Sequence, residues 1–209
     1  MMRISRVHYP VTVLGPGRRV GIWVQGCRNR CPGCISRDTW DPTGGTAVDE
    51  GELASRCRTL ARVGVDGITI TGGEPFEQPE ALAALLNALQ EWRDAENLDV
   101  LCYSGWPLGR LELAFPDLLA RLDAIIPEPY IESLPTEAIW RGSANQPLVL
   151  LSPLARLRCG APEAAGPTIQ FVLSEHGVWF IGIPGRGDME RLRRVSAKRG
   201  LLLESVSWA

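Results

Sequence analysis

The sequence predicts an α/β protein, and three observations carry that expectation. Short runs rich in Val and Ile alternate with amphipathic stretches of helical period, which sets up a repeated β-α-β rhythm. Glycine and proline punctuate the joins. The 209 residues, 45% of them hydrophobic, suffice for one substantial core with a small appendage.

Residues 4–14 and 19–25 read as an opening hairpin, separated by Gly15-Pro16-Gly17. A helix is expected from Asp49 to Val63, because Leu53, Cys57, Leu60 and Val63 recur at intervals of three and four and Asp49 is a natural N-cap. Gly64 and Gly67 bracket the turn into a strand, Ile68-Thr69-Ile70-Thr71. Pro79 to Arg93 repeats the helical pattern through Leu82, Leu85, Leu86 and Leu89, and Val100 to Tyr103 supplies the next strand. A helical region from Leu111 to Leu122 and a strand from Ala124 to Ile126 follow. Such repetition implies a parallel sheet with helices outside it, and sites in such sheets gather at the carboxyl ends of strands. Periodicity alone does not separate an open sheet from a barrel.

The stretch Gly160 to Pro167 reads as a linker, dividing a core of residues 1–160 from an extension of residues 168–209. Within the extension, Thr168 to Leu173 and Val178 to Ile183 read as strands joined at His176-Gly177, followed by a helix from Asp188 to Arg199 and a strand from Leu201 to Val206. A structural cover or dimer edge is one reading of it; a substrate-docking module is the other.

The chemistry concentrates in Cys27-Arg28-Asn29-Arg30-Cys31-Pro32-Gly33-Cys34, whose C-x3-C-x2-C spacing offers three thiolates within eight residues. Three ligands on a cube of four irons leave one iron open to substrate or cofactor, unlike a ferredoxin cluster with four cysteines or a closed structural zinc site. A zinc site completed by a distant residue, in a non-catalytic module, is the competing reading. Arg28, Arg30 and Arg37 flank the thiols and either favour their ionised form or are solvated loop charges. The Ile68 strand runs into Gly72-Gly73-Glu74-Pro75, a turn whose glycines let backbone approach a ligand closely.

A net charge of -2 and a pI near 5.8 argue against nucleic acid or an anionic membrane as partner. No apolar segment approaches the roughly 18 to 20 residues of a membrane span, and the first residues lack the apolar core of a signal peptide, so a cytoplasmic protein with reduced thiols is expected. Cys57 falls on the apolar face of its helix and Cys102 within a strand, and both read as buried, inert thiols; Cys159, in a predicted loop near Arg156 and Arg158, is the one extra thiol available for chemistry. The seven tryptophans are scattered, as core and edge packing would scatter them, and neither His8 nor His176 has metal-ligand spacing.

Together the cysteine motif and Gly72-Gly73-Glu74-Pro75 resemble the radical S-adenosylmethionine (radical SAM) superfamily. The likeness is greatest to the small activating proteins of anaerobic ribonucleotide reductase, members of the glycyl-radical activase group. It is carried further by Gly21-Ile22-Trp23-Val24-Gln25-Gly26, Thr39-Trp40-Asp41, Tyr103-Ser104-Gly105 and Trp140-Arg141-Gly142-Ser143-Ala144-Asn145-Gln146, across residues 8 to 150. This resemblance implies a partial (β/α) barrel with a small C-terminal α+β extension. It implies a 4Fe-4S cluster on Cys27, Cys31 and Cys34, with S-adenosyl-L-methionine contacted by Gly72, Gly73, Glu74 and Pro75. Gly33, Tyr103, Ser104 and Asn145 are further cofactor-site candidates, with core packing equally open for Tyr103 and loop support for Asn145. The implied reaction is reductive cleavage to a 5'-deoxyadenosyl radical, with flavodoxin or ferredoxin as reductant and a protein or peptide as substrate; a small metabolite is the alternative. Two departures stand out. Gly33 occupies the place before the third cysteine where the superfamily often has an aromatic residue, and Pro127-Glu128 follows Ile126 where the family usually has Asp-Gly.

Overall fold

The computed structural model describes residues 1–61, 64–160, 168–174 and 177–201. Seven strands form one mixed sheet: β1 (Met2–Val11), β2 (Arg19–Val24), β3 (Thr46–Val48), β4 (Gly67–Gly72), β5 (Asp99–Tyr103), β6 (Ala124–Ile126) and β7 (Val149–Leu150). Their spatial order is β3-β1-β2-β4-β5-β6-β7. Strands β2, β4, β5 and β6 run parallel and make the centre, while β1, β3 and β7 join antiparallel. All of β2 is buried, as a strand covered on both faces must be.

The two-residue period of the strands assigns the faces. Val20, Ile22, Val24, Ile68, Ile70, Val100, Cys102 and Ile125 point into the core beneath the helices. Helix α1 (Glu50–Leu60) begins at Asp49, whose carboxylate accepts from the Gly51 and Glu52 amides, and buries Leu53, Ala54 and Cys57. Helix α2 (Pro79–Glu96) buries Leu82, Leu85, Leu86, Leu89 and Trp92, and ends where Asn97 turns left-handed. Each such leucine contributes about 1.5–3 kcal/mol on burial. The opposite sheet face carries Leu101, Ala124 and Ile126 against Ala155, Trp140 and Leu148.

Several expectations shift. The first helix stops at Leu60, and Val63 lies outside the described residues. The helical region after β5 is two pieces, α3 (Leu108–Ala114) and α4 (Pro116–Leu119), because Pro116 lacks an amide proton and disfavours helix at the preceding residue, Phe115. The short antiparallel strands β3 and β7 carry too few residues to show a period. Cys159 is no loop thiol: it closes α5 (Pro153–Cys159), capped by Ser152, and is 1% exposed. The extension forms β8 (Ile169–Ser174), β9 (Gly177–Gly182) and α6 (Asp188–Lys198); the hairpin's turn at His176 and the strand expected to Val206 lie outside the described residues.

The parallel centre brings four strand ends together. The cysteine loop leaves β2, the Gly-Gly-Glu-Pro turn leaves β4, Ser104-Gly105 leaves β5, and Pro127 to Tyr130 leaves β6, all at one carboxyl edge.

Candidate iron-sulfur site

The cysteine loop is closed at its base by backbone. Gly26 N donates to Thr39 O at 2.7 Å and Cys27 N to Trp40 O at 3.1 Å. The buried Gln25 amide clamps the returning chain, donating to Asp38 O at 3.1 Å and Asp41 O at 2.8 Å. Inside the loop, Cys31-Pro32-Gly33-Cys34 is a reverse turn with Cys34 N on Cys31 O at 3.1 Å. Proline at its second position and Gly33 at φ +76 suit a type II turn, which explains glycine at that place. A side chain there would also run into Tyr130 and Glu132.

The Gly-Gly-Glu-Pro turn is fastened to that loop. Gly73 N donates to Val24 O and Glu74 N to Gly26 O, each at 2.8 Å. Gly72 stands at φ +98, and a Cβ would sit 2.8 Å from the Trp23 and Val24 backbone; at Gly73 it would land on the Gly26 carbonyl oxygen. Both glycines are therefore demanded by backbone packed on backbone. The Glu74 side chain is wholly buried and spent on the neighbouring strand end: Oε1 accepts from Phe76 N at 3.1 Å and Ser104 Oγ at 2.9 Å, and Oε2 from Gly105 N at 2.7 Å. Burial nevertheless outweighs these three donors and lifts the Glu74 carboxyl to about 7.

The three thiols, Cys27, Cys31 and Cys34, are half-buried and line one cavity of about 1360 Å³ with Gly33, Gly72, Gly73, Glu74, Tyr103 and Ser104. Burial pushes Cys27 up to about 11 and raises Cys31, while the Asn29 and Arg30 amides oppose it at Cys27 and the Tyr130 amide at Cys31. Arg28 and Arg30 are exposed and Arg37 stacks over Trp40, so these arginines do not offset that burial. Burial thus favours the protonated form at Cys27 and Cys31, which a bound metal would reverse by supplying positive charge. Among the described residues no group of three or more His, Cys, Asp or Glu is gathered to hold a single metal ion. Three thiols spaced around a wide cavity fit a cluster, in which each sulfur holds a different iron. The Asn29 Nδ2, buried without a partner and pressed against Gly105, is a free donor at the same place.

The other candidates divide. Tyr103 is partly buried, its hydroxyl donating to Trp140 O at 2.9 Å, and desolvation pushes its ionisation far up, so the ring is a wall and its hydroxyl is committed to backbone. Ser104 Oγ also accepts from Trp106 N at 3.1 Å, making it a brace between Glu74 and the next turn. Pro75 is buried at the start of a short 3-10 turn away from the cavity wall. Asn145 does not line the cavity: its Nδ2 donates to Pro129 O at 2.8 Å. Gln146 lines it instead, its Oε1 accepting from Gly142 N at 3.0 Å and Ser143 N at 3.1 Å while Nε2 donates to Glu128 O at 2.9 Å. Tyr130, set between Gly33 and Gly142, and Glu128, at φ +83, complete that side. Their one signal in the sequence is the Pro127-Glu128 departure beside them.

The 4Fe-4S single cluster domain family matches residues 13–149. The anaerobic ribonucleoside-triphosphate reductase-activating protein of Enterobacteria phage T4 is 32% identical over 149 residues, which cover 70% of this chain and 93% of that protein. The protein of the same name from Escherichia coli K12 is 29% identical, covering 66% and 93%. The one from Vibrio cholerae is 30% identical, covering 66% and 92%. With three thiols on one cavity and a family match spanning most of the sheet, this chain belongs to the 4Fe-4S single cluster domain family, together with anaerobic ribonucleoside-triphosphate reductase-activating proteins.

Proposed function

We propose that this chain is a cytoplasmic radical SAM activating enzyme that generates a glycyl radical in a protein partner of the ribonucleotide reductase kind. The observation that carries this reading is the backbone pairing of the cysteine loop with the Gly-Gly-Glu-Pro turn, which joins two sequence motifs in one cavity. The parallel order of β2, β4, β5 and β6 supports a partial (β/α) barrel as its frame. Reduced by flavodoxin or ferredoxin, a 4Fe-4S cluster would supply the electron that cleaves S-adenosylmethionine to methionine and the 5'-deoxyadenosyl radical, which takes hydrogen from a backbone glycine.

The chain's own part is placement. Cys27, Cys31 and Cys34 would hold the cluster, and three protein ligands would leave a place on it for S-adenosylmethionine. Gly72 and Gly73 keep the turn flat against the cluster loop, so small polar groups can approach its backbone closely. Glu74 and Ser104 lock the ends of β4 and β5 together, and Tyr103 excludes water from one wall. The Asn29 amide offers a donor to whatever occupies the space beside Gly105.

The test is mass spectrometry of nucleosides after the anaerobically reconstituted protein meets dithionite and S-adenosylmethionine. Formation of 5'-deoxyadenosine, abolished at least a hundredfold in Cys31→Ala, is the expected result. A full cluster with no cleavage, with or without a purified anaerobic reductase, would overturn the reading.

A further inference from the structure

Buried polar atoms without a partner are not scattered evenly through this protein. Among the described residues, Asn29 Nδ2, Arg37 Nε and Arg141 Nε are buried donors with no acceptor, and all three residues line the cysteine cavity. No unpartnered buried acceptor lines it among those residues. A donor left unanswered in a buried place is costly, so a cluster of them points to a group that the chain itself does not supply.

The carboxylates of the cavity are engaged elsewhere or stand in solvent. Asp38 pairs with Arg6, Glu74 accepts from Phe76, Ser104 and Gly105, and Glu128 Oε1 accepts from Leu108 N at 3.1 Å. Glu132 and Glu190 are exposed. Neither Arg37 nor Arg141 has an ion pair or a side-chain hydrogen bond among the described residues.

Both arginines are held in place through their neighbours. Trp140 stands at φ +60, a conformation that bulky residues avoid; its carbonyl accepts from the Tyr103 hydroxyl at 2.9 Å, and its ring packs against the cluster of Leu101, Ala124 and Ile126. On the other side, Gln146 Oε1 takes the Gly142 and Ser143 amides at 3.0 and 3.1 Å. The backbone at Arg141 is thus fixed from both directions. Arg37 opens the short 3-10 turn Arg37–Thr39, and its guanidinium lies over the Trp40 ring, 5.7 Å from the centre. A guanidinium held over a ring keeps its in-plane N-H groups available. The cavity, at about 1360 Å³, exceeds the roughly 300–1,000 Å³ of common small-molecule sites and has room for a second occupant beside a cofactor.

We propose that Arg37 and Arg141 form an oxyanion receptor in the cysteine cavity, holding a carboxylate or phosphate of the molecule bound there. The planar fork of each guanidinium matches either group through two parallel N-H donors. The inference rests on the activating-enzyme reading only in counting the S-adenosylmethionine carboxylate as one source of that group; an acidic group on a second molecule is the other.

The experiment is anaerobic isothermal titration of the cluster-loaded protein with pyrophosphate and with glutarate. Arg37→Gln and Arg141→Gln are each expected to weaken pyrophosphate binding about tenfold at unchanged iron content and thermal midpoint, as the loss of one charge-assisted pair requires. Arg58→Gln, on the exposed side of α1, should leave it unchanged. Repeating the titration at saturating S-adenosylmethionine separates the sources. Displacement of pyrophosphate by S-adenosylmethionine and not by its decarboxylated form assigns the arginines to the cofactor's carboxylate, and undiminished binding assigns them to an acidic group on a second molecule. Displacement by both forms alike denies both sources and overturns the proposal. Binding of neither probe, equal binding by wild type and both arginine variants, or an equal loss in Arg58→Gln overturns it as well. Absence of S-adenosylmethionine cleavage by the wild type would sink the activating-enzyme reading and leave the arginine-dependent binding of pyrophosphate standing.

Discussion

Glu74 shows how a motif residue acts through its surroundings. The sequence marks it as part of a ligand-facing turn, whereas its carboxylate in fact faces Phe76, Ser104 and Gly105 and ties two strand ends together. Because burial raises its folded-state pKa from 4.5 to about 7, the folded chain binds this proton more tightly than the unfolded chain. The sign follows: the associated stability is complete below pH 4.5 and is lost as pH rises through 7. On the order of 3 kcal/mol is at stake across that window for a group so fully buried. Thermal unfolding of the cluster-free protein is expected to show this decline, and Glu74→Gln to flatten it. The same substitution sets a Gln amide against the Gly105 N-H or the Phe76 N-H, with a cost of about 1–3 kcal/mol. A slope that survives the substitution would assign the titration elsewhere.

At the scale of elements, glycine positions and aromatic anchors decide how segments meet. Gly73→Ala places a methyl on the Gly26 carbonyl, backbone against backbone, and no rotamer can relieve it. A loss of about 3 kcal/mol or more is expected in urea unfolding, with iron incorporation falling in parallel because the cysteine loop shares those hydrogen bonds. Trp179→Ala removes two edge-on ring pairs, each worth about 0.5–1.5 kcal/mol, and a cation contact. Limited proteolysis should then cut the β8–β9 hairpin first, while the seven-stranded core keeps its own unfolding midpoint. Helices α1 and α2 were readable because Asp49 and the leucine spacing are local signals. The split at Pro116 was also written locally, but the surrounding leucine period masked it.

On the scale of the whole molecule, the parallel strands divide labour between their ends. The carboxyl ends carry the cysteine cavity, and the amino ends carry a buried charge network. Arg19, fully buried, donates to Asp99 Oδ2 at 2.6 Å and to Thr69 Oγ1 at 2.7 Å, and Arg158 adds a second guanidinium on Asp99 Oδ1 at 2.8 Å. Removing Asp99 strands the Arg19 cation where water is excluded and takes the carboxylate from the partly exposed Arg158. Asp99→Ala is expected to cost about 3–5 kcal/mol in chemical denaturation. The iron content per folded molecule should stay unchanged, since the network lies at the far end of β2 and β5 from the thiols; a fall in iron at constant folded fraction would contradict that separation.

By itself the sequence determined what depends on near neighbours: the α/β rhythm, the three-cysteine loop and the glycine-rich turn, because strand period, helix period and ligand spacing are written over a few residues. The tertiary structure decided what depends on distance along the chain. It alone turned Asn145 away from the cavity and brought in Gln146, Tyr130 and Asn29, since Asn145 and Gln146 donate to backbone carbonyls 16 and 18 residues away, while Asn29 and Tyr130 lie against Gly105 and Gly33, far along the chain. It alone set the C-terminal hairpin beside the cysteines, because Trp179 and Gln170 find their partners on β1 and β2 and no local pattern could name them.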